Sequence, residues 1–133
     1  MTLLAPIPLP ERLADAEAAE RLFAPLAKEA VEVVVFVYLD AERRVLGMRQ
    51  SRSLAHDTHE VPVREVAIDA LAWDAAGVVM AHNHPSGDPT PSRADRDATR
   101  RIVRALEPLG VRLLDHLIVA RGGATSFRSL GLL

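Results

Sequence analysis

The sequence contains no cysteine. Disulfides, thiolate metal sites and cysteine nucleophiles are thereby excluded, and any metal held by side chains must be held by histidine or carboxylate. Aromatic residues are scarce, with one tryptophan, one tyrosine and three phenylalanines, so the chain has no row of rings on which successive bases could stack. No apolar run approaches the roughly 20 residues that cross a bilayer. The opening stretch, Met-Thr-Leu-Leu-Ala-Pro-Ile-Pro-Leu-Pro, lacks the basic residues of a secretory leader and is broken by prolines. On these absences the expected location is the cytoplasm, with no membrane partner. The formal net charge of −2 gives no global attraction for nucleic acid or anionic lipid.

What is present suits a single domain with one sizeable core: 133 residues, 49% hydrophobic and 26% charged. Prolines at 6, 8 and 10 predict an extended arm over residues 1–14, ahead of a domain over 15–133. Such an arm orders against a partner or a second copy, which leaves a homodimer open. A helix is predicted over 15–30, with Ala19, Leu22, Phe23 and Leu26 on one side and Pro25 kinking or ending it. Residues 31–39 are apolar on both faces, as in a central strand covered on both sides. A turn over 40–44 leads to a hairpin partner at 45–50, a loop over 51–58, a short strand at 60–63 and a helix over 64–76. On that helix Val66, Ala67, Ala70 and Leu71 are expected to face inward. A buried strand follows at 77–81, then a loop, a helix from Ser92 that Gly110 ends, a strand at 111–120, and a tight turn into 125–128. Strands interleaved with helices predict an α/β fold, a single mixed β-sheet flanked by helices.

The chemistry is concentrated in Ala81-His-Asn-His-Pro-Ser-Gly-Asp-Pro-Thr-Pro-Ser-Arg-Ala-Asp95. His82 and His84 are two apart on an extended segment, so they share a face about 7 Å apart at Cα and can converge on one ion. Pro85, Gly87, Pro89 and Pro91 then forbid regular structure until Ser92. On the helix that follows, Arg93, Arg96, Asp97, Arg100 and Arg104 form one arc, while Ala98, Ile102, Ala105, Leu106 and Leu109 form the opposite one. Asp95 falls in the apolar arc, where a carboxylate costs several kcal/mol unless it is paired or coordinated. A metal shared with His82 and His84 meets that need. Ser92 and Asp95 also spell a capping box, and Ser92 can cap the helix while facing the site.

Glu32 opens the central strand on the face of Val34 and Phe36, where a charge is unexpected. It is either a strand-end carboxylate reaching solvent or a general base beside the metal, and Glu29, Glu60 and Glu65 are its rivals. The arginine stripe, with Arg101 beside it, could meet an acidic peptide or a phosphate backbone; Asp97 at salt-bridging intervals favours a plain solvated face. His56 and His59 read as exposed loop histidines, and His116 as a hydrogen-bonded core histidine.

His82, His84, Pro85, Ser92 and Asp95 fit His-x-His-Pro, six residues, Ser, two residues, Asp. This resembles the JAMM (JAB1/MPN) metalloprotease motif, and residues 81–95 resemble the RadC branch of that superfamily almost letter for letter. The resemblance extends to Glu-Val-Val-Val-Phe-Val-Tyr-Leu-Asp from Glu32, Val-Arg-Glu-Val from Val63, Leu-Leu-Asp-His-Leu-Ile-Val from Leu113 and Ser-Phe-Arg-Ser-Leu-Gly-Leu-Leu at the end. It implies a cytidine-deaminase-like fold and one zinc per chain, held by His82, His84, Asp95 and a water. It also implies that Glu32 is the catalytic acid–base, that Ser92 helps hold the transition-state oxygen, and that the chain is a peptidase or isopeptidase acting on a peptide or protein. Two stretches depart from the branch, residues 47–58 and the proline at 62, and both are expected to border the substrate groove. The N-terminal helical region that the branch associates with DNA has no counterpart here, which weakens a DNA partner. Two other readings stand beside the hydrolase, a DNA-repair-associated DNA-binding protein or nuclease and a non-catalytic binding module. Zinc nucleobase deaminases share the implied fold but need a Cys-x-x-Cys, which this chain lacks.

Overall fold

Val33–Leu39 and Gly77–Asn83 are rich in β-branched residues and apolar on both faces, and they form two inner strands of one sheet. The structure, a computed structural model, describes residues 7–52 and 61–133. In chain order it contains α1 (Ala16–Phe23), a 3-10 turn (Ala24–Lys28), β1 (Val33–Leu39), β2 (Val45–Arg52), α2 (Val63–Ala72), β3 (Gly77–Asn83), α3 (Arg93–Leu106), a second 3-10 turn (Glu107–Leu109), β4 (Arg112–Ala120) and β5 (Gly123–Ser126). The strands lie in the order β2-β1-β3-β4-β5. Only β3 and β4 are parallel; the other neighbours are antiparallel. A parallel pair needs a crossover, and here the crossover is the proline-rich loop and α3. The mixed sheet flanked by helices is the predicted architecture.

Alternation along the strands divides the core in two. Phe36, Tyr38, Val78, Met80 and Leu113 meet Val66 and Ala70 of α2 and Ala98, Ile102 and Leu106 of α3 on one face. Val33, Val35, Val37, Leu39, Val79, Ala81, Leu117 and Val119 meet Leu13, Ala19, Phe23 and Leu26 on the other. No helix among the described residues is long and apolar enough to cross a membrane.

Local chemistry sets the ends of the elements. Asp15 caps α1 by accepting the N–H of Ala18 at 2.8 Å, and Pro25 turns the remainder of the predicted helix into a 3-10 turn. The strand predicted at 60–63 does not form over its described part. Val61 and Pro62 are irregular and Val63 already begins α2, because a proline fits just ahead of a helix and supplies no ladder donor. Leu71 points outward, 60% exposed: α2 buries a narrow stripe, Val66 and Ala70, and Leu71 lies about 100° around from Ala70. Of the predicted arm, residues 1–6 lie outside the described residues. Glu11–Leu13 pair with Arg43–Val45 through Leu13 N–H to Arg43 and Val45 N–H to Glu11, and Leu13 is fully buried. The predicted loop over 51–58, with His56, lies outside the described residues from 53 onward, as do His59 and Glu60.

One irregularity positions the site. Val78 of β3 pairs with Leu113 of β4, but Val79 pairs with Asp115, so Leu114 is an extra residue. Gly77 makes room for it, since a Cβ at Gly77 would lie 2.8 Å from Leu114 Cδ1. The bulge changes the phase of β4 and brings His116 to the face that carries His82 and α3.

Candidate metal centre

The crossover from β3 to α3 assembles the site. The N–H of His84 bonds to the Val119 carbonyl at 3.1 Å, extending the parallel ladder past β3 so that His82 and His84 point the same way. His84 then has its ring held from behind: Nδ1 lies 2.8 Å from the Asp88 carbonyl, which can only accept. Nδ1 therefore carries a proton, and in the neutral ring Nε2 is the nitrogen left to face an ion.

Asp95 enters from the first turn of α3. The predicted capping box is present, with Ser92 Oγ accepting the N–H of Asp95 at 3.0 Å and Asp95 Oδ2 accepting the N–H of Ser92 at 2.8 Å. The carboxylate is 4% exposed. Its Oδ1 lies 3.0 Å from His82 Nε2 and its Oδ2 lies 3.0 Å from His84 Nε2. The two Nε2 atoms are themselves 3.0 Å apart. A tetrahedral ion with bonds of about 2.0–2.1 Å has ligand–ligand edges of about 3.3 Å, so the three side chains span one face of such a site. The cluster of His82, His84 and Asp95 can hold a metal ion.

The electrostatics agree with a cation site. Burial pushes the Asp95 carboxyl up, but the contacts with His82 and His84 and the N–H of Ser92 outweigh it and hold the group far below the carboxylate range. The contact with Asp95 raises His84 above an ordinary imidazole against the opposing effect of burial.

Glu32 lies just before β1 and sends Oε1 to within 3.9 Å of His82 Nε2, with its side chain 27% exposed. Its described rivals are elsewhere: Glu29 pairs with Arg52 at 3.5 Å, and Glu65 is exposed in the first turn of α2.

A family model for the RadC-like JAB domain matches residues 13–132. The chain belongs to the RadC-like JAB domain family. It is 42% identical to a UPF0758 protein of Symbiobacterium thermophilum over 91% of its own length and 52% of that protein. It is 38% identical to a UPF0758 protein of Xanthomonas axonopodis pv. citri over 91% and 54%, and 37% identical to one of Xanthomonas campestris pv. campestris over 97% and 58%. This RadC-like JAB domain therefore spans about half the length of the curated relatives it matches.

Three residues around the RadC-like site were not singled out from the sequence as parts of it. His116 is fully buried, as predicted for a core histidine, but its Nε2 lies 2.6 Å from Nδ1 of His82. Burial first, and the neighbouring His82 second, hold His116 well below an ordinary imidazole. Thr99 contacts His116 Nδ1 at 2.6 Å; its place four residues after Asp95 on the apolar arc was the available signal. Asn83, between the two histidines, faces the opposite side of the sheet and is fully buried. The arginine stripe of α3 is exposed, with Arg100 bonded to Asp97 at 2.7 Å.

Proposed function

We propose that this chain is a zinc-dependent metallohydrolase that cleaves an amide bond, as a peptidase or isopeptidase. The observation that carries the reading is the meeting of His82 Nε2 and His84 Nε2, 3.0 Å apart, with the two oxygens of Asp95, one 3.0 Å from each, and the Glu32 carboxylate 3.9 Å from His82 Nε2. Two imidazoles and one carboxylate suit zinc among the common divalent ions. When bound, zinc supplies a water acidified to a pKa of about 7 and polarises a carbonyl oxygen.

The chain's own residues do the rest. Glu32 takes a proton from the attacking water and delivers it to the departing nitrogen, so that water and amide become a carboxylic acid and an amine. Ser92 caps α3 through an oxygen lone pair, which leaves its hydroxyl proton to donate to the oxyanion that develops on the carbonyl. Asp95 is aimed by the N–H of Ser92 and His84 by the Asp88 carbonyl. The substrate is a peptide or a protein.

The test is elemental mass spectrometry on chelator-free protein, followed by peptide and protein-conjugate cleavage by wild type, Glu32→Gln and His84→Ala. We expect about one zinc per chain in wild type and in Glu32→Gln, none in His84→Ala, and cleavage by wild type alone. Wild-type protein that takes up no zinc when supplied with it would overturn the reading. Zinc-dependent cleavage of DNA by the same preparations, in place of amide cleavage, would make the chain a nuclease.

A further inference from the structure

We propose that His116 and Thr99 are positioning residues of the metal centre, joined in a one-way chain of hydrogen bonds that fixes which nitrogen of His82 faces the ion. The proposal rests on the reading of His82, His84 and Asp95 as metal ligands.

The direction of the chain follows from a single proton. Thr99 Oγ1 lies 2.7 Å from the backbone carbonyl oxygen of Asp95. Two oxygens that close need a proton between them, and a carbonyl has none to give, so the hydroxyl donates it. Thr99 Oγ1 is thereby left only as an acceptor toward His116 Nδ1, 2.6 Å away. His116 must carry its proton on Nδ1, and its Nε2 is an acceptor. His82 Nδ1, 2.6 Å from that Nε2, must then be the donor. With its proton on Nδ1, His82 turns the lone pair of Nε2 toward His84 and Asp95.

The opposite direction would place a proton on His82 Nε2 and close it to a metal. The path thus starts at one ligand, His82, and ends on the backbone of another, Asp95. His84 is set the same way by a shorter device, the carbonyl of Asp88. Packing holds the relay still: the ring of His116 stacks on Phe127 with centroids 4.4 Å apart and planes 23° apart. The N–H of Phe127 also bonds to the His116 carbonyl at 3.0 Å. Among the described residues no buried side-chain nitrogen or oxygen lacks a partner.

Outer partners of metal-bound histidines change affinity by about 10–100-fold when removed. The test uses Thr99→Val, which keeps the shape and deletes the hydroxyl, and His116→Leu beside His116→Gln, whose amide oxygen can still accept from His82. Zinc dissociation constants are measured by competition with a chromophoric chelator, the visible spectrum is recorded on the cobalt-substituted proteins, and thermal unfolding is followed in excess chelator. We expect zinc affinity to fall about tenfold or more in Thr99→Val and His116→Leu, with an altered cobalt spectrum, and to recover in part in His116→Gln.

A role in packing alone would lower the unfolding temperature in chelator and leave the dissociation constant and the cobalt spectrum of Thr99→Val at their wild-type values; that result overturns the proposal. Should His116→Leu not fold, Thr99→Val decides. Wild-type protein that binds no metal overturns the metal reading, and this proposal with it. Metal bound equally by wild type and Thr99→Val overturns the positioning role alone.

Discussion

The side-chain amide of Asn83 grips the backbone on both sides of Glu32. Its Oδ1 accepts the N–H of Val33 at 2.7 Å, and its Nδ2 donates to the carbonyls of Val31 at 2.9 Å and Glu29 at 3.3 Å. The regular ladder to β3 begins only at Val34, so the chain around Glu32 would otherwise lack these partners. The residue between the two histidines thus ties the predicted base to the strand that bears the predicted ligands.

Replacing Asn83 with alanine strips partners from buried backbone groups, at about 1–3 kcal/mol for each one left unsatisfied. Asn83→Ala should lose about 2–4 kcal/mol in urea unfolding. Asn83→Asp should recover only part of this, because it keeps the acceptor for Val33 but turns an oxygen toward the carbonyl of Val31. A loss below about 0.5 kcal/mol in Asn83→Ala would show that the clamp is dispensable.

An ion that binds only the folded chain raises its stability by mass action. Free zinc at about 100 times its dissociation constant should add about 2.7 kcal/mol, read as a higher unfolding temperature that chelator reverses. Asp95→Ala should show no such response. An equal rise in both proteins would place the zinc elsewhere.

Gly47 lies on β2 beneath the indole of Trp73, and a Cβ there would come within 2.6 Å of the ring. Trp73 is itself held edge-on against Tyr38, with centroids 4.9 Å apart. Gly47→Ala should therefore cost about 1–3 kcal/mol as the ring is displaced, with a shift in tryptophan emission. Unchanged stability together with unchanged emission would contradict the packing.

Asp69 of α2 joins Arg49 of β2 and Tyr38 of β1. The bond from Arg49, helped by the Tyr38 hydroxyl and opposed by burial, holds its carboxyl below the ordinary 3.8. A carboxyl lowered in the folded state stabilises above its unfolded pKa and loses that contribution as pH falls through the folded value. The stability gap between wild type and Asp69→Asn should accordingly be full above about pH 4 and shrink on further acidification. A gap that stays constant from pH 7 to pH 3 would remove Asp69 from the account.

The sheet was legible because Val33–Leu39, Gly77–Asn83 and Arg112–Ala120 are too apolar to lie anywhere but between two layers. The cluster of His82, His84 and Asp95 was legible because Asp95 interrupts an apolar arc at a fixed distance from two paired histidines. The partners of those residues were not. His116 joins His82 only because Leu114 bulges out of the ladder and shifts the phase of β4 by one residue, and no periodicity in Leu-Leu-Asp-His announces that slip. Asn83 was hidden for a related reason. A strand pattern assigns its side chain to the face away from His82 and His84, and does not say that the backbone beside Glu32 is bonded there.

The double duty of Asp95 also restricts what can succeed it. Histidine would serve an ion equally well, yet it has no oxygen to return to the N–H of Ser92, and α3 would begin uncapped. Glutamate would keep the cap, but its longer arm carries the carboxylate past the two imidazoles. Position 95 thus carries two demands at once, the cap of α3 and the meeting with His82 and His84. The cap needs no histidine, so a chain without His82 and His84 could still begin α3 on the same Ser-x-x-Asp.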